Sequence, residues 1–191
     1  EELAVRSALL MNQYLTHTLN PHFKYKGLPE LRANYGIATG DVVVGNMGSE
    51  KVFDYTVIGD SVNFASRLEG INKQYGTRIL ICEETLKKVE GKFVYRKVDH
   101  VIVKGKTVPV GIYEVFGVPG TILPEIQKQV DTFQEMVSAF FAEDIEKAAQ
   151  ILRQYRLDYP SDQLGEFYEN RIHDIQSGVQ PFRSYTKWSD K

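Results

Sequence analysis

The sequence predicts an α+β fold in which a region of mixed strands and helices is followed by a region of helices alone. Over residues 1–117, short β-branched runs that end at glycines alternate with longer segments whose apolar residues recur at helical spacing. Beyond residue 124 only the helical spacing continues. We therefore expect a first domain over residues 1–117, a linker with Pro and Gly over residues 118–124, and a helical tail over residues 125–191.

The composition excludes several classes of protein. Apolar residues make up 42% of the 191 residues, as in ordinary globular domains, and the net charge of −2 provides no general positive field for a nucleic acid polymer or a membrane surface. The single Cys82 rules out an internal disulfide and, within an apolar run, predicts a buried thiol in a reducing compartment. No apolar run reaches the length of a membrane span, and the chain opens in mid-helix without an initiator methionine. We therefore expect a cytoplasmic segment of a longer parent protein, whose own membrane attachment stays open.

The first elements predicted are a helix, a loop and a hairpin. Residues 1–19 have apolar side chains at helical spacing, and residues 20–31 contain proline and glycine, which predicts a loop. Two short apolar runs, "LRANYGIATG" and "DVVVGNMG", then meet at Gly40 and Asp41. This arrangement predicts a β-hairpin with its turn at those two residues.

A long helix is predicted next, over residues 61–75. Asp60 is expected to be its N-cap, and Gly76 the glycine that follows its last turn. "TRILICEET" predicts a strand that leads into the short helix "TLKKVEG". "FVYRKVDHVIVKG" and "TVPVGIYEVFG" predict a second hairpin, whose turn lies near Gly105.

The tail predicts two antiparallel helices and a third helix after them. The apolar pattern breaks at a tight turn near residues 143–144 and ends at Pro160, and it resumes over residues 167–175. The spacing from Ala148 to Pro160 resembles the second helix of a tetratricopeptide repeat. Because one such unit cannot bury its apolar face alone, we expect the tail to dock on the first domain or on a second subunit.

Asn63 and Arg67 lie four residues apart on the predicted long helix, and therefore on one face of it. The planar guanidinium of Arg67 matches the geometry of a phosphate, and the amide of Asn63 can donate to an ether or carbonyl oxygen. Together they could hold negative charge that develops in a transition state. By spacing alone, the favoured explanation is that both are solvated side chains beside the apolar face of the helix.

Three motifs follow one another over residues 1–117. "GIATGDVVVGNMGS" comes first, "YTVIGDSVNFASRLEGINKQYGT" second, and "VKGK" precedes the final strand. This order resembles the class III nucleotidyl cyclases, the adenylate and guanylate cyclases. The resemblance implies a ferredoxin-like catalytic domain that works as a head-to-tail homodimer. It also implies a phosphorus–oxygen lyase that converts ATP to 3′,5′-cyclic AMP and pyrophosphate with Mg²⁺ or Mn²⁺.

The resemblance implies roles for four residues. Asn63 would orient the ribose, and Arg67 would stabilise the pentavalent α-phosphorus and its leaving oxygens. Thr56 falls at the position that recognises the purine base in the family. Threonine at this position favours ATP as the substrate, and a guanylate cyclase is the alternative. Lys104 matches the lysine that reaches the triphosphate, with Lys106 as a less favoured substitute. By residue type alone, Thr56 is an ordinary strand residue and Lys104 an ordinary solvated lysine.

The chain departs from the family because it has no metal-binding motif. The family's two metal-binding aspartates and its purine-reading lysine lie upstream of the segments found here, and neither "F-x-D-I-x-G-F" nor "K-x-x-G-D" occurs. Asp41 and Asp54 do not match those positions. We therefore expect the metal ligands and the first strands of the sheet to precede Glu1, and the isolated chain to be inactive. The alternative of a different class is a non-catalytic module for dimerisation, nucleotide sensing or partner binding, with the helical tail as its interaction surface.

Overall fold

The computed structural model describes residues 1–49, 52–103 and 107–188, and its strands form one five-stranded sheet and one separate two-stranded ribbon. The helices are α1 (Glu2–Tyr14), α2 (Asn20–Tyr25), α3 (Asp60–Tyr75), α4 (Glu83–Val89), α5 (Pro124–Phe141), α6 (Ile145–Asp158) and α7 (Gln163–Gln176). The strands are β1 (Tyr35–Ile37), β2 (Val43–Ser49), β3 (Val52–Ile58), β4 (Ile79–Cys82), β5 (Val94–Val103), β6 (Val110–Gly117) and β7 (Thr186–Trp188). The sheet has the order β1-β4-β6-β5-β7, and β2 pairs with β3 in the ribbon.

Helices cover both faces of the five-stranded sheet, and β4 shows why. All four residues of β4 are buried, and alternate residues point to opposite faces. Ile79 and Ile81 pack in one cluster with side chains of α1 and α4. Leu80 and Cys82 pack in a second cluster with α3 and the C-terminal helices. The prediction of a buried Cys82 is therefore confirmed.

The tail docks on the sheet of its own chain. Docking on the first domain was one of the two arrangements predicted. The tail and α3 share one apolar cluster on the sheet face, and its largest fully buried members from the tail are Phe133, Met136, Phe140, Tyr155, Leu164 and Tyr168. The predicted helical hairpin is present as α5 and α6, and the turn between them contains Glu143, which adopts a left-handed conformation with φ 63°. The predicted third helix is α7.

An all-α tail was, however, a wrong prediction, because β7 adds a strand to the edge of the sheet. β7 pairs in parallel with β5, with Val101 opposite Thr186 and Val103 opposite Trp188. A three-residue strand has too little periodicity to be recognised from sequence. It forms because the edge of β5 offers unpaired backbone groups that a neighbouring extended segment can satisfy.

The predicted hairpin at Gly40 and Asp41 is also wrong. β1 pairs in parallel with β4, with Tyr35 opposite Ile79, whereas β2 pairs with β3. The local pattern showed that both segments were extended but could not identify their partners, because the strand that pairs with β1 lies beyond α3. The second predicted hairpin, formed by β5 and β6, is confirmed, and its expected turn at Gly105 lies outside the described residues.

Two helix boundaries differ from the predictions. The segment expected to be a loop over residues 20–31 begins with α2, which continues α1 through a π-helical turn at Leu15–Leu19 and has Pro21 in its first turn, where proline is tolerated. The N-cap of α3 is Gly59 rather than Asp60, which is the first helical residue. Gly76 does end α3 in the left-handed conformation, with φ 70°.

Within the described ranges, no helix combines the length and the apolar character that crossing a bilayer requires.

Gly36 allows α3 to lie directly on β1. A Cβ at this position would be 2.2 Å from the carbonyl oxygen of Ala65 and 2.5 Å from the backbone nitrogen of Glu69. We expect Gly36→Ala to lower the free energy of unfolding by about 1–3 kcal/mol, because the helix must move away from the strand. Denaturant unfolding of the variant measures this loss.

Gly70→Ala is the matched control, because it is the same substitution at a position on α3 where an added Cβ would meet no atom within 4 Å. We expect Gly70→Ala to raise the free energy of unfolding by about 0.5–1 kcal/mol, because it lowers the backbone entropy of the unfolded chain. Equal changes in the two variants would show that the close contact at Gly36 does not limit stability.

Candidate active site on helix α3

The chain enters α3 through a tight connection from the ribbon. Gly59 is the N-cap, and its carbonyl oxygen accepts hydrogen bonds from the backbone nitrogens of Val62 and Asn63, at 3.1 and 3.2 Å. The hydroxyl of Ser61 donates to the carbonyl oxygen of Asp41 at 3.1 Å, which ties the start of the helix to the segment before β2. The first turn of α3 is therefore fixed to the backbone on both sides.

Asn63 and Arg67 occupy the outward face of this helix. Asn63 is exposed and Arg67 is half-buried, whereas Phe64 and Leu68 are buried beneath them against the sheet. Among the described residues, neither Asn63 nor Arg67 makes a side-chain hydrogen bond or ion pair. The structure thus presents an amide and a guanidinium, one turn apart, on a helix whose opposite face is anchored in the core.

Asn72 anchors α3 to the sheet, and the sequence reading missed it. Its side chain is fully buried and donates to the carbonyl oxygens of Tyr35 on β1, at 3.1 Å, and of Leu68, at 3.0 Å. Its amide oxygen accepts from the hydroxyl of Thr77 at 2.8 Å. A usable signal was present, because Asn72 falls next to Ile71 among the core positions of the helix, and a polar side chain there needs internal partners.

Thr56 lies on β3, opposite Gly45 of β2, with its side chain exposed. The strand ends at Ile58, only Gly59 separates it from α3, and the two elements are therefore adjacent. Among the described residues, no side-chain hydrogen bond joins Thr56 to Asn63 or Arg67. The structure places the three residues on neighbouring elements without joining their side chains directly.

Two other predicted features of the site cannot be placed in it. Lys104 and its substitute Lys106 lie outside the described residues. Over the described ranges, no group of three or more His, Cys, Asp or Glu side chains could hold a metal ion. The described part of the chain therefore offers no ligand set for a metal ion.

The ribbon of β2 and β3 presents apolar side chains to solvent. Tyr55 is 76% exposed, Val43 63%, Val44 52% and Ile58 51%. A two-stranded ribbon with no helix over it is only marginally stable in water, and contiguous apolar surface marks contact with another protein.

The sequence profile of the family described as "Adenylate and Guanylate cyclase catalytic domain" matches residues 2–117. The chain is 40% identical to Adenylate cyclase 1 of Rhizobium meliloti (strain 1021) over 117 residues, which are 61% of this chain and 17% of that protein. Among solved structures, the adenylyl cyclase CyaB from P. aeruginosa is similar at 31% identity and a TM-score of 0.51, over 60% of this chain and 57% of that one. The guanylyl cyclase Cya2 is 35% identical with a TM-score of 0.49, over 62% of this chain and 60% of that one.

The family match does not include the tail. The profile match ends at residue 117, and the chain spans less than a fifth of the Rhizobium protein.

Proposed function

Because this chain belongs to the adenylate and guanylate cyclase catalytic domain family, we propose that it forms part of an adenylate cyclase that converts ATP to 3′,5′-cyclic AMP and pyrophosphate. In this reaction the ribose 3′-oxygen loses its proton and bonds to the α-phosphorus, and the bond from that phosphorus to the β-phosphate oxygen breaks. The observation that supports the proposal is the Asn63 and Arg67 pair, which lies on an anchored helix with no internal partner among the described residues.

Each side chain of the pair suits one part of that reaction. The planar guanidinium of Arg67 can donate two parallel hydrogen bonds to oxygens of the α-phosphate as charge develops there. The amide of Asn63 can hold the ribose so that its 3′-oxygen is in line for attack. Positioning and electrostatic stabilisation account for most of the catalysis of phosphoryl transfer, so a rigid helix is the appropriate support for both groups.

We infer that ATP is the substrate because of Thr56, whose hydroxyl can accept a hydrogen bond from the amino group of adenine. Lys104 would contact the triphosphate. Guanylate cyclase is the second candidate, since the family includes both activities.

The family's divalent ions, Mg²⁺ or Mn²⁺, have no ligand set in the described part of this chain. We propose that the residues that hold these ions lie outside the described part of this chain. We also propose that the site is completed in a head-to-tail homodimer. The exposed apolar ribbon of β2 and β3 supports a protein contact beside α3.

The rival proposal is a non-catalytic module that dimerises or binds a partner. The observation in its favour is the absence of a metal-ligand cluster from the described residues. An inactive module, however, has no need of an arginine and an asparagine on one helix face whose side chains have no partner within the described ranges.

We expect the complete parent protein to form cyclic AMP from ATP and Mn²⁺, and this chain alone to form none, because only the complete protein would contain the metal ligands. Cyclic AMP formation by both proteins at equal concentration tests the proposal, with GTP as the competing substrate. A complete protein that produces no cyclic nucleotide would favour the rival module. Preference for GTP would make it a guanylate cyclase, and robust turnover by the isolated chain would refute the assignment of the metal ligands.

A further inference from the structure

We propose that the C-terminal tail holds α3 in its catalytic position through the buried carboxylate of Asp99. The inference rests on the proposed function, since it treats α3 as the helix that presents Asn63 and Arg67. It assigns Asp99 and Tyr75 as positioning residues and gives the tail a role in the catalytic domain itself.

Asp99, on β5, connects α3 to two elements of the tail. Its side chain is fully buried. It accepts hydrogen bonds from the hydroxyl of Tyr75 on α3 at 2.7 Å, from a guanidinium nitrogen of Arg171 on α7 at 3.1 and 3.2 Å, and from the hydroxyl of Thr186 on β7 at 2.5 Å. The backbone nitrogen of His100 also donates to it at 2.8 Å. The carboxylate of Asp99 therefore accepts hydrogen bonds from α3 and from two elements of the tail, α7 and β7.

The tail also surrounds the last residue of α3 directly. The indole nitrogen of Trp188 donates to the hydroxyl of Tyr75 at 3.2 Å, so this hydroxyl both donates and accepts. The rings of Phe167 and Trp188 meet the Tyr75 ring edge-on, with centroids 4.8 and 5.7 Å away. Burial, followed by the charge of Asp99, raises the pKa of Tyr75 well above its ordinary value, so the hydroxyl keeps its proton for this bond.

A β-bulge in β5 produces the geometry at Asp99. Lys97 lies opposite Tyr113 and Asp99 opposite Ile112, so Val98 is the extra residue, and both Val98 and Asp99 are fully buried. The tail satisfies one backbone group of the bulge, because Tyr168 on α7 donates to the carbonyl oxygen of Val98 at 2.8 Å. The bulge and the tail thus depend on each other.

A close approach at Gly76 supports the same conclusion. This residue ends α3, and a Cβ there would lie 2.4 Å from the side-chain oxygen of Gln163 and 2.5 Å from its Cβ. Gln163 is the first residue of α7. The end of the catalytic helix and the start of the tail helix are therefore in van der Waals contact.

The consequence for catalysis follows from the rigidity of a helix. Tyr75 is eight residues from Arg67, which is about 12 Å along the helix axis. A bond that fixes the C-terminal end of α3 therefore also fixes the height of Arg67 above the substrate. Displacement of a catalytic group by about 1 Å can cost roughly 10²-fold in rate, so even partial loosening of α3 should be measurable.

Tyr75→Phe in the complete protein tests the proposal, with Tyr155→Phe as the matched control. Both substitutions remove one buried hydroxyl that donates to a carboxylate at the interface of the tail with the sheet, but Tyr155 bonds to Asp162 and not to α3. We expect Tyr75→Phe to lower kcat about tenfold at nearly constant KM for ATP, and Tyr155→Phe to leave both constants unchanged. Thr186→Val, which removes only the β7 donor to Asp99, should lower kcat less but in the same direction.

Amide hydrogen exchange of residues 60–75 in the same variants supplies a readout independent of activity. We expect exchange in this segment to rise about tenfold in Tyr75→Phe and to stay unchanged in Tyr155→Phe. Equal losses of kcat in the two variants, or unchanged α3 exchange in Tyr75→Phe, would overturn the proposal. A wild-type protein without cyclase activity would refute the proposed function alone, because the exchange rates still decide whether the tail holds α3.

Discussion

Arg67→Ala in the complete protein is expected, on the proposed function, to lower kcat by roughly 10²–10³-fold with little change in KM, and Asn63→Ala is expected to have the same kind of effect. The reason is that both groups would act on charge and geometry that arise only in the transition state. Steady-state kinetics with ATP measure the two constants. Neither change should affect folding, because within the described ranges neither side chain makes a hydrogen bond or ion pair.

The same helix offers matched controls for both substitutions. Lys73 and Gln74 are exposed residues near the C-terminal end of α3. Lys73→Ala removes a cation about 120° round the helix from Arg67, and Gln74→Ala removes an amide about two turns farther along the helix. We expect both controls to keep wild-type kcat. If Arg67→Ala and Lys73→Ala had equal activity, Arg67 would be a solvated surface residue and the proposed site would be wrong.

Arg96→Met is expected to be the most destabilising single change considered, with a loss of roughly 3–5 kcal/mol in the free energy of unfolding. Arg96 is 3% exposed and pairs with two carboxylates, Glu114 on β6 at 2.8 Å and Asp162, just before α7, at 2.7 Å. Its guanidinium also lies over the ring of Phe133, 4.6 Å from the centroid. The substitution would leave two buried carboxylates without a cation, which costs far more than an exposed ion pair is worth.

The pKa shifts of Glu114 and Asp162 predict how stability depends on pH, and this dependence is a second measurement that tests the effect of Arg96→Met. Burial raises the pKa of Glu114 against the opposing charge of Arg96. Burial would also raise the pKa of Asp162, but the hydrogen bonds and charge of Arg96 outweigh it and lower that pKa below its ordinary value. Wild-type Asp162 therefore contributes stability above its ordinary pKa, and this contribution is lost as the pH falls through the lowered value.

Removal of Arg96 reverses this dependence, because both buried carboxylates then take up protons readily. We expect the stability deficit of Arg96→Met to shrink as the pH falls from neutral toward about 4. Arg6→Met is the control, since Arg6 pairs with Glu2 at 2.9 Å through side chains 43% and 35% exposed, and its loss should cost at most about 1 kcal/mol. Similar deficits in the two variants, or a deficit for Arg96→Met that does not depend on pH, would contradict the prediction.

The sequence by itself determined the elements whose signals are local. Helix α3 ends at Gly76 because only a left-handed residue fits there, and the turn between α5 and α6 interrupts one helical periodicity and starts another. The order of the glycine-rich and α3 motifs was also sufficient to identify the family, since a motif is read along the chain. The pairing of Asn63 with Arg67 on one face followed from helical spacing alone.

Only the tertiary structure decided which elements meet. The partner of β1, the strand β7 and the docking of the tail on the face that holds α3 depend on contacts between segments far apart in the chain. Arg96 and Asp99, in the strand segment "VYRKVDH", are of residue types that are mostly exposed. Both are nevertheless buried, because Asp162 just before α7 and Arg171 on α7 supply their counter-charges. A buried charge is stable only with its partner in place, and the position of that partner is a property of the fold that no local pattern contains.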